Sequence, residues 1–134
     1  MHRLSLMIVA ATALAGVANA NPAAGSFRTT TQVPEFCQIT ASPMVLSSET
    51  GTIRGHVLEM CNSPDGYKVV AIHRPLDSSE HVEFAFDGEQ NALQADGWSE
   101  VARRAGARYG KREINVRFDS LARPLAINLT LTTY

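Results

Sequence analysis

The apolar residues in the last part of the chain recur with a period of two. In Leu125–Thr132 the large apolar side chains occupy odd positions, and small or polar residues occupy even positions. Because successive side chains of a β-strand point to opposite faces, this pattern predicts a half-buried strand. The same alternation predicts strands at Ile114–Phe118 and at Val82–Phe86.

Two further segments predict strands from their composition and from the turn between them. Tyr67–His73 is rich in Val and Ile and follows Ser63–Gly66, whose Pro and Gly are typical of a tight turn. Ile53–Cys61 predicts another strand, in which Glu59 shares the parity of the inward apolar positions unless a bulge shifts the register.

One stretch does not follow the period of two. In Trp98–Gly110, apolar residues have roughly helical spacing among arginines, which favours a short helical turn or an ordered loop. The remaining pattern is six or seven short strands separated by turn residues. It predicts an all-β protein, a β-sandwich.

The first twenty residues have the features of an export signal. Arg3 precedes an apolar run from Leu4 to Val17, and Ala18-Asn19-Ala20 has the form of a cleavage site. This order is typical of a signal peptide over residues 1–20, with a retained N-terminal anchor helix as the alternative. The remainder has the length of one domain.

Export favours a disulfide between the two cysteines. The chain has two Cys, Cys37 and Cys61, and disulfides persist outside the cytosol. A zinc site is the weaker interpretation, because the pair lacks CxxC spacing and neighbouring histidines. We therefore predict a Cys37–Cys61 bond.

Catalytic and cofactor-binding motifs are missing from the sequence, which predicts a protein that is not an enzyme and needs no metal or other cofactor. His73 and His81 could meet across a hairpin, but exposed strand histidines are the favoured interpretation. The formal net charge of −1 gives no indication of nucleic-acid binding. Acids cluster in Asp77–Glu100 and bases in Arg103–Arg117, which favours charge pairing between neighbouring strands over complementary patches between copies.

Residues 21–35 precede the first cysteine and are too polar to form a core. Their odd positions are mostly small or apolar, and their even positions are more polar. Such a segment can be a strand of its own domain, a flexible tail, or a strand added to the sheet edge of another molecule.

Several short motifs together resemble the spore-coat-U-like secreted domains, which are subunits of archaic chaperone-usher pili. These motifs are "CQITASP" at Cys37, "GHVLEMC" ending at Cys61, "SPDGYKVV" from Ser63 and the closing "INLTLTTY". The resemblance implies an immunoglobulin-like sandwich at residues 36–134 that lacks its last strand, which a partner supplies. It implies a subunit that passes through the periplasm, is held by a periplasmic chaperone and an outer-membrane usher, and joins other copies or related subunits in a surface fibre.

The resemblance also assigns roles to particular residues. The segment 21–35 becomes a donor strand, and the closing strand becomes the wall of the acceptor groove and the edge where the chaperone docks. The residues facing the groove are Gly25, Phe27, Thr29, Thr31 and Val33 on the donor, and Leu125, Ile127, Leu129 and Leu131 on the acceptor. The alternative function is a self-contained secreted β-sandwich module that binds carbohydrate or protein.

Overall fold

The computed structural model describes residues 25–26 and 28–134. The predicted signal peptide and Phe27 lie outside the described residues. The chain divides into two units, Met1–Gln32 and Val33–Tyr134. In the first unit the described residues are exposed and have no regular secondary structure.

The second unit is built from strands. They are β1 Cys37–Thr40, β2 Met44–Leu46, β3 Gly51–Cys61, β4 Tyr67–His73, β5 Val82–Phe86, β6 Glu89–Ala92, β7 Trp98–Arg104, β8 Arg108–Phe118 and β9 Leu125–Thr133. No helix long and apolar enough to cross a membrane occurs among the described residues.

The strands form two antiparallel sheets. Sheet I has the order β1-β3-β8-β5-β6, and sheet II has the order β2-β9-β4-β7. One cluster of buried apolar side chains from both sheets forms the core. The predicted all-β class and the immunoglobulin-like sandwich are confirmed.

The period of two correctly identifies the inward side chains. Phe84 and Phe86 of β5 and Val116 of β8 are buried, as are Leu125 and Ile127 of β9. Each contributes to the core between the sheets. The two longest strands extend beyond their predicted ranges: β3 begins at Gly51 rather than Ile53, and β8 begins at Arg108 rather than Ile114.

The prediction of a helical turn or loop within residues 98–110 is wrong. Trp98–Arg104 is strand β7, and it carries a bulge where Val69 pairs with Ala102 but Val70 pairs with Glu100. Val101 is the extra residue, so Val101 and Ala102 are both buried. A bulge interrupts the alternation of side chains between the two faces of a strand, so two successive residues are both apolar and buried. This is why the apolar residues of the segment have a roughly helical spacing. This strand, together with the short β2 and β6, raises the count above the predicted six or seven.

The first part of the domain changes sheets. β1 pairs with β3 in sheet I, and after three residues β2 pairs with β9 in sheet II. Each of these short strands therefore covers only part of the long strand beside it.

The turn between β3 and β4 depends on one glycine. Gly66 has a φ of +94°, and a Cβ atom there would collide with the Arg104 carbonyl oxygen. Only glycine fits both the backbone conformation and this close approach. The turn brings the end of β3 and the start of β4 to the same end of the sandwich.

The predicted disulfide is present and joins Cys37 to Cys61. The two residues are register partners in the β1–β3 ladder. The bond therefore fastens the edge strand β1 to β3 at the point where β1 begins.

Replacing both cysteines by Ala is expected to lower the free energy of unfolding by about 3 kcal/mol, because the loop closed across a separation of 24 residues becomes unconstrained in the unfolded chain. Urea unfolding of the oxidised wild type and of the double variant measures the difference. A difference below about 1 kcal/mol would contradict it.

Candidate functional site

Strand β9 is paired unequally along its two edges. On one side, β4 pairs with it from Ile127 to Thr133. On the other side, β2 pairs with Leu125–Ile127. Within residues 28–134, no strand pairs with that side of Asn128–Thr133, which we call the open edge. Backbone N–H and C=O groups along such an edge can bond an added strand.

The inward side chains of β9 become more exposed to solvent along the same stretch. Leu125 is 0% exposed and Ile127 is 2% exposed, whereas Leu129 and Leu131 are only partly buried. Opposite them, Ile39 of β1 and Ala41 after it are also partly buried and packed against the core. These four partly buried residues line what we call the acceptor groove, which lies between β1 and β9.

The predicted acceptor residues therefore form two pairs. Leu125 and Ile127 lie where β2 covers the edge, because Leu46 and Met44 are their register partners. Leu129 and Leu131 lie beside the open edge and line the groove. A cleft at the inner end of the groove is bounded by Ile39, Ala41, Ser42, Pro43, Ile127, Asn128 and Leu129.

The predicted donor residues are exposed where the structure describes them. Gly25, Thr29, Thr31 and Val33 belong to no strand, and Val33 is 72% exposed. Phe27 lies outside the described residues. The role of these residues as a donor strand remains a prediction.

A buried carboxylate lies directly behind the groove. Glu59 is the register partner of Ile39, points inward without a bulge and is 0% exposed. The Nε atom of Arg112 donates to its Oε2 at 2.6 Å, and the Nε atom of Arg104 lies 3.4 Å from its Oε1. Since Arg104 belongs to sheet II and Glu59 to sheet I, this ion pair crosses the interior and joins the two sheets.

The ionic cluster extends to the turn between β5 and β6. Asp87 lies 3.7 Å from Arg104 and 3.8 Å from Arg112, and Glu89 lies 3.5 Å from Arg104. Burial, together with the neighbouring Glu59 carboxylate, raises the pKa of Tyr67. The hydrogen bond to Glu59 raises the pKa of Arg112. Both effects keep the Tyr67 hydroxyl neutral and the guanidinium charged.

A second buried carboxylate fixes the segment that leads into β9. Both oxygens of Glu80 accept hydrogen bonds from Arg74, at 2.6 and 2.7 Å, and from the backbone N–H groups of Asp77 and Ala122, each at 2.8 Å. Arg74 also donates to the carbonyl oxygen of Arg123 at 2.6 Å. These bonds hold the β4–β5 loop against the residues that precede β9.

The same bonds determine the ionisation of Glu80. The hydrogen bond from Arg74 is the main reason that the pKa of Glu80 falls to about 2. Sequence reasoning missed this group because two of its three partners are backbone N–H groups, and one of these, that of Ala122, lies 42 residues away along the chain. No residue pattern marks such partners.

Several charges in the acidic and basic stretches form ion pairs, either within one strand or between neighbouring strands. Glu100 lies 2.8 Å from Arg103 and 3.5 Å from Lys68, and Glu83 lies 3.4 Å from Arg117. The hydrogen bond from Arg103 lowers the pKa of Glu100. The predicted pairing between neighbouring strands is confirmed for Glu83 of β5 with Arg117 of β8, whereas Glu100 and Arg103 lie on the same strand, β7.

The interpretation of both histidines as exposed is wrong for His73. That residue is buried, its Nδ1 donates to the Arg74 carbonyl oxygen at 2.6 Å, and its Nε2 lies 3.3 Å from the Ser99 hydroxyl. His73 is the last residue of an inward-facing row on β4, which accounts for its burial. His81 is exposed. In the part of the chain that the structure describes, no group of three potential ligands is placed to bind a metal ion.

Comparisons with family models, with curated proteins and with solved structures give no match for this chain. The open edge and its groove are therefore the features from which a function can be inferred. They combine unpaired backbone groups with a row of partly exposed apolar side chains.

Glu59→Gln is expected to destabilise the domain by about 3 kcal/mol, because it removes the charge that two partly buried arginines share. Urea unfolding at neutral pH measures the loss. The matched control is Glu113→Gln on the exposed face of β8, which should change stability by less than about 0.5 kcal/mol. Equal effects of the two variants would contradict the prediction.

Glu80→Gln is expected to cost about 3 kcal/mol at neutral pH, since it breaks the buried pair with Arg74. The pKa of Glu80 is lowered from 4.5 to about 2 in the folded state, so its contribution is complete above the unfolded pKa and is lost as pH falls from 4.5 towards 2. Unfolding of wild type and variant at neutral pH and at low pH should show the difference shrinking under acid.

The control for this carboxylate is Glu83→Gln, whose side chain is exposed and pairs with exposed Arg117. It should have an effect below about 1 kcal/mol at either pH. A Glu80→Gln difference that is independent of pH would contradict the assignment.

Proposed function

We propose that this protein is an exported structural subunit of a chaperone-usher surface pilus, of the spore-coat-U-like kind, which polymerises by donor-strand exchange. Its acceptor is the open edge of β9 with the groove beside it, and its donor is the segment 21–35. The fibre built from such subunits serves adhesion or biofilm formation.

The observation that carries this proposal is that the same stretch of β9 lacks a strand partner on one side and has inward side chains that are only partly buried. On the side of β2 the backbone has no strand partner from Asn128 onward, and on the inward face Leu129 and Leu131 are only partly buried. One added β-strand corrects both, because its backbone pairs with the edge and its alternate side chains fill the groove. A ligand that supplied only apolar surface would leave the backbone groups unpaired.

The proposed donor has the matching chemistry. Its inward positions, Gly25, Phe27, Thr29, Thr31 and Val33, are small, β-branched or aromatic. Small residues let a strand approach the groove closely, and β-branched and aromatic residues favour the extended backbone. Pro34 then ends the pairing, because proline has no N–H to donate.

The proposed partners follow from the exposed edge. An open edge with apolar side chains promotes aggregation unless it is covered, so a subunit in transit needs a temporary strand. A periplasmic chaperone supplies that strand along β9, and an outer-membrane usher is the place where the donor of the next subunit replaces it. No nucleic acid, metal or other cofactor is part of this proposal.

Polymerisation of the chain from residue 21 onward tests the proposal. Leu131→Asp is expected to abolish polymers, because it places a charge in an apolar groove, at a cost equivalent to an affinity loss of at least about 100-fold. The control is Thr132→Asp on the same strand, which faces solvent. Size-exclusion chromatography and electron microscopy measure the products.

A synthetic peptide of residues 21–33 supplies an independent measurement. Added in excess to the full chain, it should occupy the groove and shorten the polymers, and a peptide with Asp in place of Phe27 and Val33 should not. A wild-type chain that stays a stable monomer, or a Leu131→Asp chain that polymerises normally, would overturn the proposal. The first outcome would favour the self-contained binding module.

A further inference from the structure

The side chain of Asn62 holds the chain at the point where it leaves the domain. Its Oδ1 accepts from the Phe36 N–H at 2.6 Å, and its Nδ2 donates to the Pro34 carbonyl oxygen at 2.9 Å. The Asn62 N–H also donates to the Phe36 carbonyl oxygen at 3.0 Å. These three bonds continue the β1–β3 ladder beyond the Cys37–Cys61 pair. We call Val33–Phe36 the exit segment.

The Asn62 side chain takes the place of backbone groups that β3 would supply if it continued beyond Cys61. β3 ends at Cys61, and the following residues form the turn into β4. With no further β3 backbone beside it, the exit segment would lack a partner, and the Asn62 amide supplies one donor and one acceptor in its place. The exit segment is thereby kept in line with β1, although its side chains are exposed.

The exit segment lies at the end of the sandwich where β9 finishes. Cys37 pairs with Cys61, the turn after Cys61 leads to Tyr67, and Tyr67 pairs with Thr133. From this end, β1 runs inward along one side of the acceptor groove while β9 runs outward along the other. To reach its own groove, the chain before Pro34 would have to reverse direction within the exit segment.

Two features of the exit segment oppose such a reversal. Asn62 holds both Pro34 and Phe36 in line with β1. Pro34 has a fixed φ and restricts Val33 to extended conformations. After a reversal the segment would also run parallel to β9, a pairing that is slightly less stable per residue than the antiparallel one.

We propose that Asn62 is a positioning residue that prevents the N-terminal segment from filling the groove of its own domain, so that the segment is available to a second copy of the chain. This inference rests on the proposed function and adds a mechanism by which self-capping is avoided. The Cys37–Cys61 bond, next to Asn62 in the chain, fixes the start of β1. It does not fix the direction of the residues before Cys37, which the Asn62 amide determines.

Asn62→Ala and Asn62→Asp in the chain from residue 21 onward test this role. Alanine removes both side-chain bonds, whereas aspartate keeps the acceptor for Phe36 N–H and loses the donor to Pro34. With two hydrogen bonds lost, Asn62→Ala is expected to raise the fraction of monomer about tenfold, with Asn62→Asp intermediate. Size-exclusion chromatography at matched concentration gives the fractions.

Hydrogen exchange on the monomer peak separates positioning from a general loss of stability. In a self-capped monomer the β9 amides whose N–H groups point to the open edge gain protection, and introducing Leu131→Asp into the Asn62→Ala chain should remove that gain. An unchanged monomer fraction, or an enlarged monomer fraction whose open-edge β9 amides remain unprotected, would overturn the role of Asn62. Normal polymers from Leu131→Asp alone would instead overturn the proposed function, and this inference with it.

Discussion

The backbone of β9 imposes the constraint on which the rest of the domain depends. Every N–H and C=O group of a strand at a sandwich edge needs a partner, from the same sheet, from solvent or from another chain. β4 meets this need along one side of β9, and β2 meets it for three residues on the other. β1 lies in sheet I and the short β2 in sheet II, and neither strand pairs with Asn128–Thr133 of β9. The inward side chains of β9 therefore become more exposed from Ile127 to Leu131.

The interior of the sandwich differs in composition between its two ends. Where β2 covers β9, the interior is apolar and closed, with Leu46, Leu125 and Ile127 almost fully buried. Behind the open edge the interior contains Glu59 with Arg112 of its own sheet and Arg104 of the opposite sheet. Ion pairs with several partners tolerate the entry of water better than an exposed apolar core does. An ionic interior is therefore suited to the end of the sandwich that lies behind the open edge.

Alternation of apolar residues was enough to find the fold class, the strands β5 and β9, the second half of β8 and their inward side chains, whereas composition and the preceding turn located β4. It failed at β7, where one extra residue at Val101 changes the parity within the strand. It also could not find the short strands β2 and β6, since three or four residues carry too little pattern. The partners of Glu59 and Glu80 were beyond sequence reasoning, because Arg112 and Ala122 lie 53 and 42 residues away along the chain.

The candidate site shows the same division. The parity of Leu129 and Leu131 was predictable, but their partial exposure depends on where β2 stops. The role of Asn62 could not be predicted, because a polar residue in a turn is common. The side chain of Asn62 bonds backbone groups that only the β1–β3 register brings close to it.

The position of the disulfide has a mechanical consequence. A force applied to the residues before Pro34 first meets the Asn62 bonds and then reaches Cys37, where the Cys37–Cys61 bond transfers it to β3. The hydrogen bonds of Gln38, Ile39 and Thr40 lie beyond that covalent link and carry none of the load. The domain can therefore be pulled by its N-terminus without peeling away its edge strand, and tension enters through β3, which is paired with β8 along its whole length.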